Sequence, residues 1–241
     1  MGKGTSNCMK HLILFYGRTG SGIIHNSIMS HYSLSPIGEG ATELHTDNFL
    51  DTTDTISSAH LDDWALKMHI NTGISSKTTD DFGESSSHNA NLLQYFVTKE
   101  RIDNIYFSYR EDIFDTYLSY IIAKSSNIWN SIEHHEYEKI ATDGTLFGNV
   151  VADLKNTFDR WYDNQDKLFD RYDIIPVSYE DIIKTGQITS ELTAVTKTVK
   201  QNSLEDKLAL FEHPETLTKH FNSIKNYSWN NGRIRILGKR T

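Results

Sequence analysis

Apolar residues gather in a few short runs separated by polar stretches, and the spacing inside each run predicts an element. His11 to Tyr16 (HLILFY) is apolar on both faces at strand length, which suits a central strand of a parallel sheet. From Gly20 to His31 the period lengthens, putting Ile23, Ile24, Ser27 and Ile28 on one face of a helix. Trp64 to Ile70 (WALKMHI), Ile105 to Tyr109 (IYFSY) and Tyr172 to Val177 (YDIIPV) repeat the strand pattern. Helices are expected over Asn89–Lys99, from Asp112 to about Lys124, over Asn149–Phe169, from Tyr179 onward, and over Ser190–Lys200. Residues 33–62 and 71–87 are turn-rich and read as loops, with short helices in the first. Strands alternating with helices, without repeats or a linker, predict one α/β domain over residues 1–241, three layers built on a central parallel sheet.

Composition narrows the function classes. The 241 residues suffice for a real core, and 37% hydrophobic with 23% charged residues is a globular balance. A net charge of −8 argues against a nucleic-acid partner, which needs basic surface, but leaves room for a local anion pocket. Cys8 is the one cysteine, so no internal disulfide forms and a reducing, cytoplasmic compartment is expected. No stretch approaches the ~20 apolar residues of a membrane span, and Leu12 to Tyr16 is too short for a signal-peptide core. Met1-Gly2 with Ser6 formally meets a myristoylation pattern, but a flexible start before the first strand is the expected reading. Glu133, His134, His135, Glu136 and Glu138 lack metal-ligand spacing, so no metal is expected there.

The first chemistry-bearing motif follows the first strand: GRTGSGII, Gly17 to Ile24. Gly17 and Gly22 have phosphate-loop spacing, GxxxxG. A glycine-rich turn opening a helix aims backbone N–H groups and the positive helix end at one anion. A nucleoside triphosphatase would continue with Lys and then Ser or Thr, for the β/γ-phosphates and Mg²⁺. Here Ile23 and Ile24 stand instead, and the loop offers Arg18, Thr19 and Ser21. A second motif, SYREDIFDTYLSY, ends the third strand in Arg110 and carries Ser119 on the following helix. A guanidinium and a hydroxyl can share a second phosphate; the alternative is a surface Arg110 paired to Asp112 or Asp115, with Ser119 on a solvated face.

These motifs resemble those of sulfotransferases that use 3′-phosphoadenosine 5′-phosphosulfate. The family's first loop, P-R/K-[ST]-G-[ST]-[ST], is matched at Arg18, Thr19, Gly20 and Ser21. Gly17 stands where Pro is usual and Gly22 where Thr or Ser is usual. Arg110, Asp112 and Ser119 match the R-x-D-x6-S spacing of the bacterial trehalose-sulfotransferase branch. Val177 to Ile182 (VSYEDI) resembles the family's YEDL, with Tyr179 at the position that can lie near adenine. The three matches fall in order across residues 11–182; the basic tail from Trp229 matches nothing in the family's C-terminal contacts.

The resemblance implies a P-loop nucleotide-hydrolase-like fold and sulfuryl transfer without metal, leaving 3′-phosphoadenosine 5′-phosphate. Gly17, Arg18, Thr19, Gly20, Ser21 and Gly22 would hold the 5′-phosphosulfate, and Arg110 and Ser119 the 3′-phosphate. Arg18 would neutralise the leaving oxygen. Lys67 and His69 in WALKMH resemble the K-x-H of cytosolic sulfotransferases, which nominates His69 as base with Lys67 at the sulfate; strand alternation puts both on one face. Glu39 is the rival base, at the position of the trehalose branch's catalytic Glu. The expected acceptor is a hydroxyl or amine of a small or carbohydrate-like molecule, selected by residues 33–62, 71–95 and 125–148. A magnesium-dependent small-molecule or nucleotide kinase, and a sulfotransferase-like domain that binds without transfer, are the alternatives.

Overall fold

A computed structural model describes residues 9–15, 17–34, 43–44, 63–69, 101–126, 139–142, 172–195 and 203–219. It is an α/β fold. The elements in chain order are β1 (Lys10–Phe15), α1 (Ser21–His31), β2 (Glu43–Leu44), β3 (Trp64–His69), β4 (Asn104–Tyr109), α2 (Ile113–Ser126), β5 (Ile174–Ser178), α3 (Tyr179–Thr185) and α4 (Leu204–Leu208). Four strands of five or six residues form an all-parallel sheet flanked by helices, and the two-residue β2 extends one edge; the order is β2-β3-β1-β4-β5. The chain packs as two compact units, Met1–Tyr109 with Asn164–Val195, and Arg110–Asp163 with Thr196–Thr241.

The first unit holds the sheet. Leu12, Ile13 and Leu14 of β1 are completely buried, each burial being worth about 1.5–3 kcal/mol. Leu12 sits between Leu66 and Ile105, and Leu14 between Met68 and Phe107, so one sheet face is a continuous apolar layer. On the other face Ile13, Ala65, Tyr106 and Val177 pack with Ile24 and Ile28 of α1, Ile182 of α3, and Ile188, Leu192 and Ala194. Pro176 falls on the edge strand β5, where the missing N–H costs no ladder bond. The register of β1 is pinned at its start. Asp103 accepts from the Lys10 N–H at 2.7 Å on one side, and Asp63 accepts from the Met9 N–H on the other.

The four expected strands and the helices at 20–31, at 112–124 and from Tyr179 are present, with ends shifted by one or two residues. Residues 190–195 depart from the expected helix. Gly186 closes α3 in a left-handed conformation (φ 70°), and Gln187 bridges antiparallel to Thr193. The Thr189 hydroxyl accepts from the Glu191 and Leu192 N–H groups at 3.3 and 3.1 Å, an alternative to helix that Ser and Thr offer the backbone. The helices expected over Asn89–Lys99 and Asn149–Phe169, and the basic tail, lie outside the described residues.

In the second unit Asp112 caps α2, accepting from the Asp115 N–H at 2.9 Å. Ser203 and Asp206 form a reciprocal capping box on α4. Ile140 bridges parallel to Phe211, and Tyr117, Leu118, Phe211 and Leu217 are buried. Among the described residues no helix is long and apolar enough to cross a membrane.

His11 gives the first unit a pH dependence. Its ring is fully buried on β1, stacked on Tyr32 at 4.7 Å, with Nδ1 facing the Asn104 amide at 3.4 Å and Nε2 without a partner among the described residues. Burial lowers its pKa from 6.5 to about 4, against the pull of Asp103 and Asp63. Between these values the unfolded chain binds the proton and the folded chain does not. Stability from this group is therefore complete above pH 6.5 and is lost as the pH falls to about 4, by roughly 3 kcal/mol in all. Urea midpoints should fall with acid more steeply for the wild type than for His11→Leu; parallel profiles would contradict this.

Candidate functional site

The sheet's topology singles out its carboxyl end. β1 lies between β3 and β4; the chain leaves β1 toward β2 and β3, then continues from β4 to β5 on the other side. Connections that diverge from adjacent parallel strands open a cleft at their carboxyl ends. The turn Gly17–Gly20 emerges there, shortly after buried Phe15.

The conformation of that turn is specific. Arg18 has φ 71° and Gly20 φ 86°, while Thr19 between them is not left-handed. A non-glycine residue in this region is strained by roughly 1–3 kcal/mol and persists only where its surroundings enforce it. Alternation of φ sign turns successive N–H groups toward a common concavity that binds anions. Gly20 is also the N-cap of α1. Among the described residues no side chain caps it, and α1 has no acid in its first turn. The Ile23 N–H bonds the Gly20 carbonyl at 2.9 Å, and the helix presents its positive end to the turn.

Two contacts hold the turn, and a third seats the helix that follows it. The Ser108 hydroxyl, buried on β4, donates to the Thr19 carbonyl at 2.8 Å. The Tyr179 ring, at the start of α3, lies against Gly20 so closely that an added Cβ would come within 2.5 Å of its Cδ2. His25 of α1 bonds the Ala65 carbonyl of β3 at 3.2 Å, with Nε2 carrying the proton, and seats the helix on the sheet. Sequence reasoning named Tyr179 but neither Ser108 nor His25. A Ser one residue before a strand end and a His on the buried helix face were the available signals.

Of the predicted loop residues, Gly17, Thr19 and Ser21 are buried, Arg18 and Gly20 are half-buried and Gly22 is exposed. Nothing lies within 4 Å of a Cβ added at Gly22. A Ser at this position would therefore meet no steric obstacle. Gly22→Ser should raise helix stability by about 0.5 kcal/mol and tighten anion binding up to about tenfold by adding a hydroxyl donor. A thermal melt and a phosphate titration check both; weaker anion binding would place the anion elsewhere.

Lys67 and His69 fall on one face, as alternation predicts: Lys67 pairs in register with Ile13 and His69 with Phe15, so His69 ends β3 level with the start of the turn. The Lys67 ammonium lies 5.4 Å from the Phe15 ring centroid. The side chain of His69, and Glu39 altogether, lie outside the described residues.

Arg110 and Ser119 belong to the second unit. Arg110 donates to the Asp115 carboxylate, which also accepts from Lys207. Ser119 is buried on α2, one turn beyond Asp115 on the same face. The Arg110–Asp115 pair is the ion pair the sequence offered as an alternative to a phosphate contact; Lys207 was not foreseen, because it lies 92 residues further along the chain. No protein-family model matches the chain, and no curated protein matches it in sequence.

Proposed function

We propose that this chain is a sulfotransferase of the P-loop-like, three-layer kind, moving a sulfuryl group from 3′-phosphoadenosine 5′-phosphosulfate to a hydroxyl or amine. The observation that carries the reading is the turn Gly17–Gly20. It is a strained anion cradle at a helix N-terminus, followed by Ile23 and Ile24 where a magnesium-nucleotide loop has Lys and Ser or Thr.

The residues present fit the group. Backbone N–H groups from Thr19 to Gly22, with the hydroxyls of Thr19 and Ser21, suit the 5′-phosphosulfate, and open space at Gly22 leaves room beside them. Arg110 and Ser119 suit the 3′-phosphate, and Tyr179 would serve the adenine end through the loop it supports. When bound, the cofactor supplies an activated sulfuryl group on a phosphate leaving group. Arg18 would neutralise charge on the oxygen it leaves behind. His69, or Glu39 in its place, would take the proton from the acceptor, with Lys67 at the sulfate. Held at the carboxyl end of the sheet, these groups would contribute orientation of the reactants. A small or carbohydrate-like molecule is the expected acceptor.

The test is transfer of labelled sulfate to a panel of sugar, phenol and amine acceptors with EDTA present. Product formation that His69→Asn lowers by about 10²–10⁴-fold supports the reading with His69 as base; the same loss in Glu39→Gln alone moves the base to Glu39. Tight nucleotide binding without any transfer would favour a non-catalytic domain, to which the missing hydroxyl at position 22 lends support. Transfer of a phosphoryl group from ATP with Mg²⁺ would favour a kinase.

A further inference from the structure

The second unit gathers two cations, a carboxylate and a hydroxyl on one helix face. We propose that Lys207 is a further ligand of the 3′-phosphate, beside Arg110 and Ser119, with Asp115 as the residue that positions both cations; this rests on the nucleotide reading above. Asp115 accepts from Arg110 Nη1 through one oxygen and from Lys207 Nζ through the other. The three side chains are only 9%, 19% and 12% exposed for Arg110, Asp115 and Lys207. One carboxylate thus holds two cations side by side, and their partial removal from water strengthens the pull of both on an anion that meets them.

Helix caps fix the geometry. Asp112 accepts from the Asp115 N–H at 2.9 Å, which sets the carboxylate at the start of α2. Asp206 accepts from the Ser203 N–H at 2.9 Å, and the Ser203 carbonyl accepts from the Lys207 N–H at 3.0 Å, which sets the lysine on α4. Ser119 follows Asp115 by one helical turn, so its hydroxyl shares the face on which the cations converge. A phosphate monoester matches this set: a dianion that takes a forked guanidinium, a point-charge ammonium and one hydroxyl. A ribose hydroxyl would use at most one of the cations.

Titration of the full chain with 3′-phosphoadenosine 5′-phosphate and with AMP, in EDTA, tests this. AMP lacks the 3′-phosphate. Lys207→Met should weaken the bisphosphate at least about tenfold and leave AMP within about twofold, the loss of one charged hydrogen bond. Lys207→Arg should recover most of that loss, and Lys219→Met, which removes an exposed lysine of the same unit, should change neither ligand. If Lys207→Met fails to fold, Lys207→Gln, which can still donate to Asp115, carries the same comparison. Equal losses for both ligands, or none, would overturn the role of Lys207 while leaving the nucleotide reading standing. A wild-type chain that does not distinguish the bisphosphate from AMP would overturn both.

Discussion

Gly20→Ala is expected to lower unfolding stability by about 2–5 kcal/mol and to abolish anion binding at the loop. Two independent causes add. A φ of 86° costs an L-residue about 1–2 kcal/mol. The new methyl would also meet the Tyr179 ring at 2.5 Å, an overlap that forces the ring or the turn to move, at about 1–3 kcal/mol. Tyr179 is 6% exposed and cannot swing away cheaply. A double-mutant cycle separates the causes. In a Tyr179→Leu background the Gly20→Ala penalty should shrink to the conformational part, about 1–2 kcal/mol. Urea unfolding of the four proteins gives the answer. A Gly20→Ala cost below about 0.5 kcal/mol would mean that the turn does not have this conformation.

Arg110→Ala is expected to weaken 3′-phosphoadenosine 5′-phosphate about 100-fold or more, through loss of a bidentate, charge-assisted contact. Stability should fall by only about 1–2 kcal/mol, because Lys207 still neutralises Asp115. That split between a large binding effect and a small stability effect distinguishes a ligand from a structural ion pair. Arg110→Lys keeps the charge but not the fork and should recover part of the affinity. Calorimetry and urea melts on the same preparations read both quantities. Unchanged nucleotide affinity in Arg110→Ala would reduce the Arg110–Asp115–Lys207 group to a structural network.

What the sequence made legible follows the range of the interactions. HLILFY declares a central strand because a strand buried on both faces needs apolar residues at every position. GRTGSG declares its turn because glycine and small hydroxyl residues have few other reasons to stand between a strand and a helix. β2 was unreadable: Glu43–Leu44 is too short to carry a period. Residues 190–195 were misread because helix propensity was judged without Thr189, whose hydroxyl binds the backbone just ahead. At the site, the positive φ of Arg18 is dictated by its surroundings rather than by its own type. The Ser108–Thr19 bond joins residues 89 apart, and the Asp115–Lys207 pair residues 92 apart. Interactions of that range leave no local pattern. The turn was therefore visible in outline, and its supports were not.

Calorimetric titration of the chain with 3′-phosphoadenosine 5′-phosphate in EDTA, beside ATP with Mg²⁺, is the most direct test of the proposed metal-free phosphosulfate site. Micromolar or tighter binding of the bisphosphate without metal, and much weaker binding of Mg·ATP, is the expected result. No binding of the bisphosphate, or a preference for Mg·ATP, would contradict it and return the Gly17–Gly22 loop to the kinases.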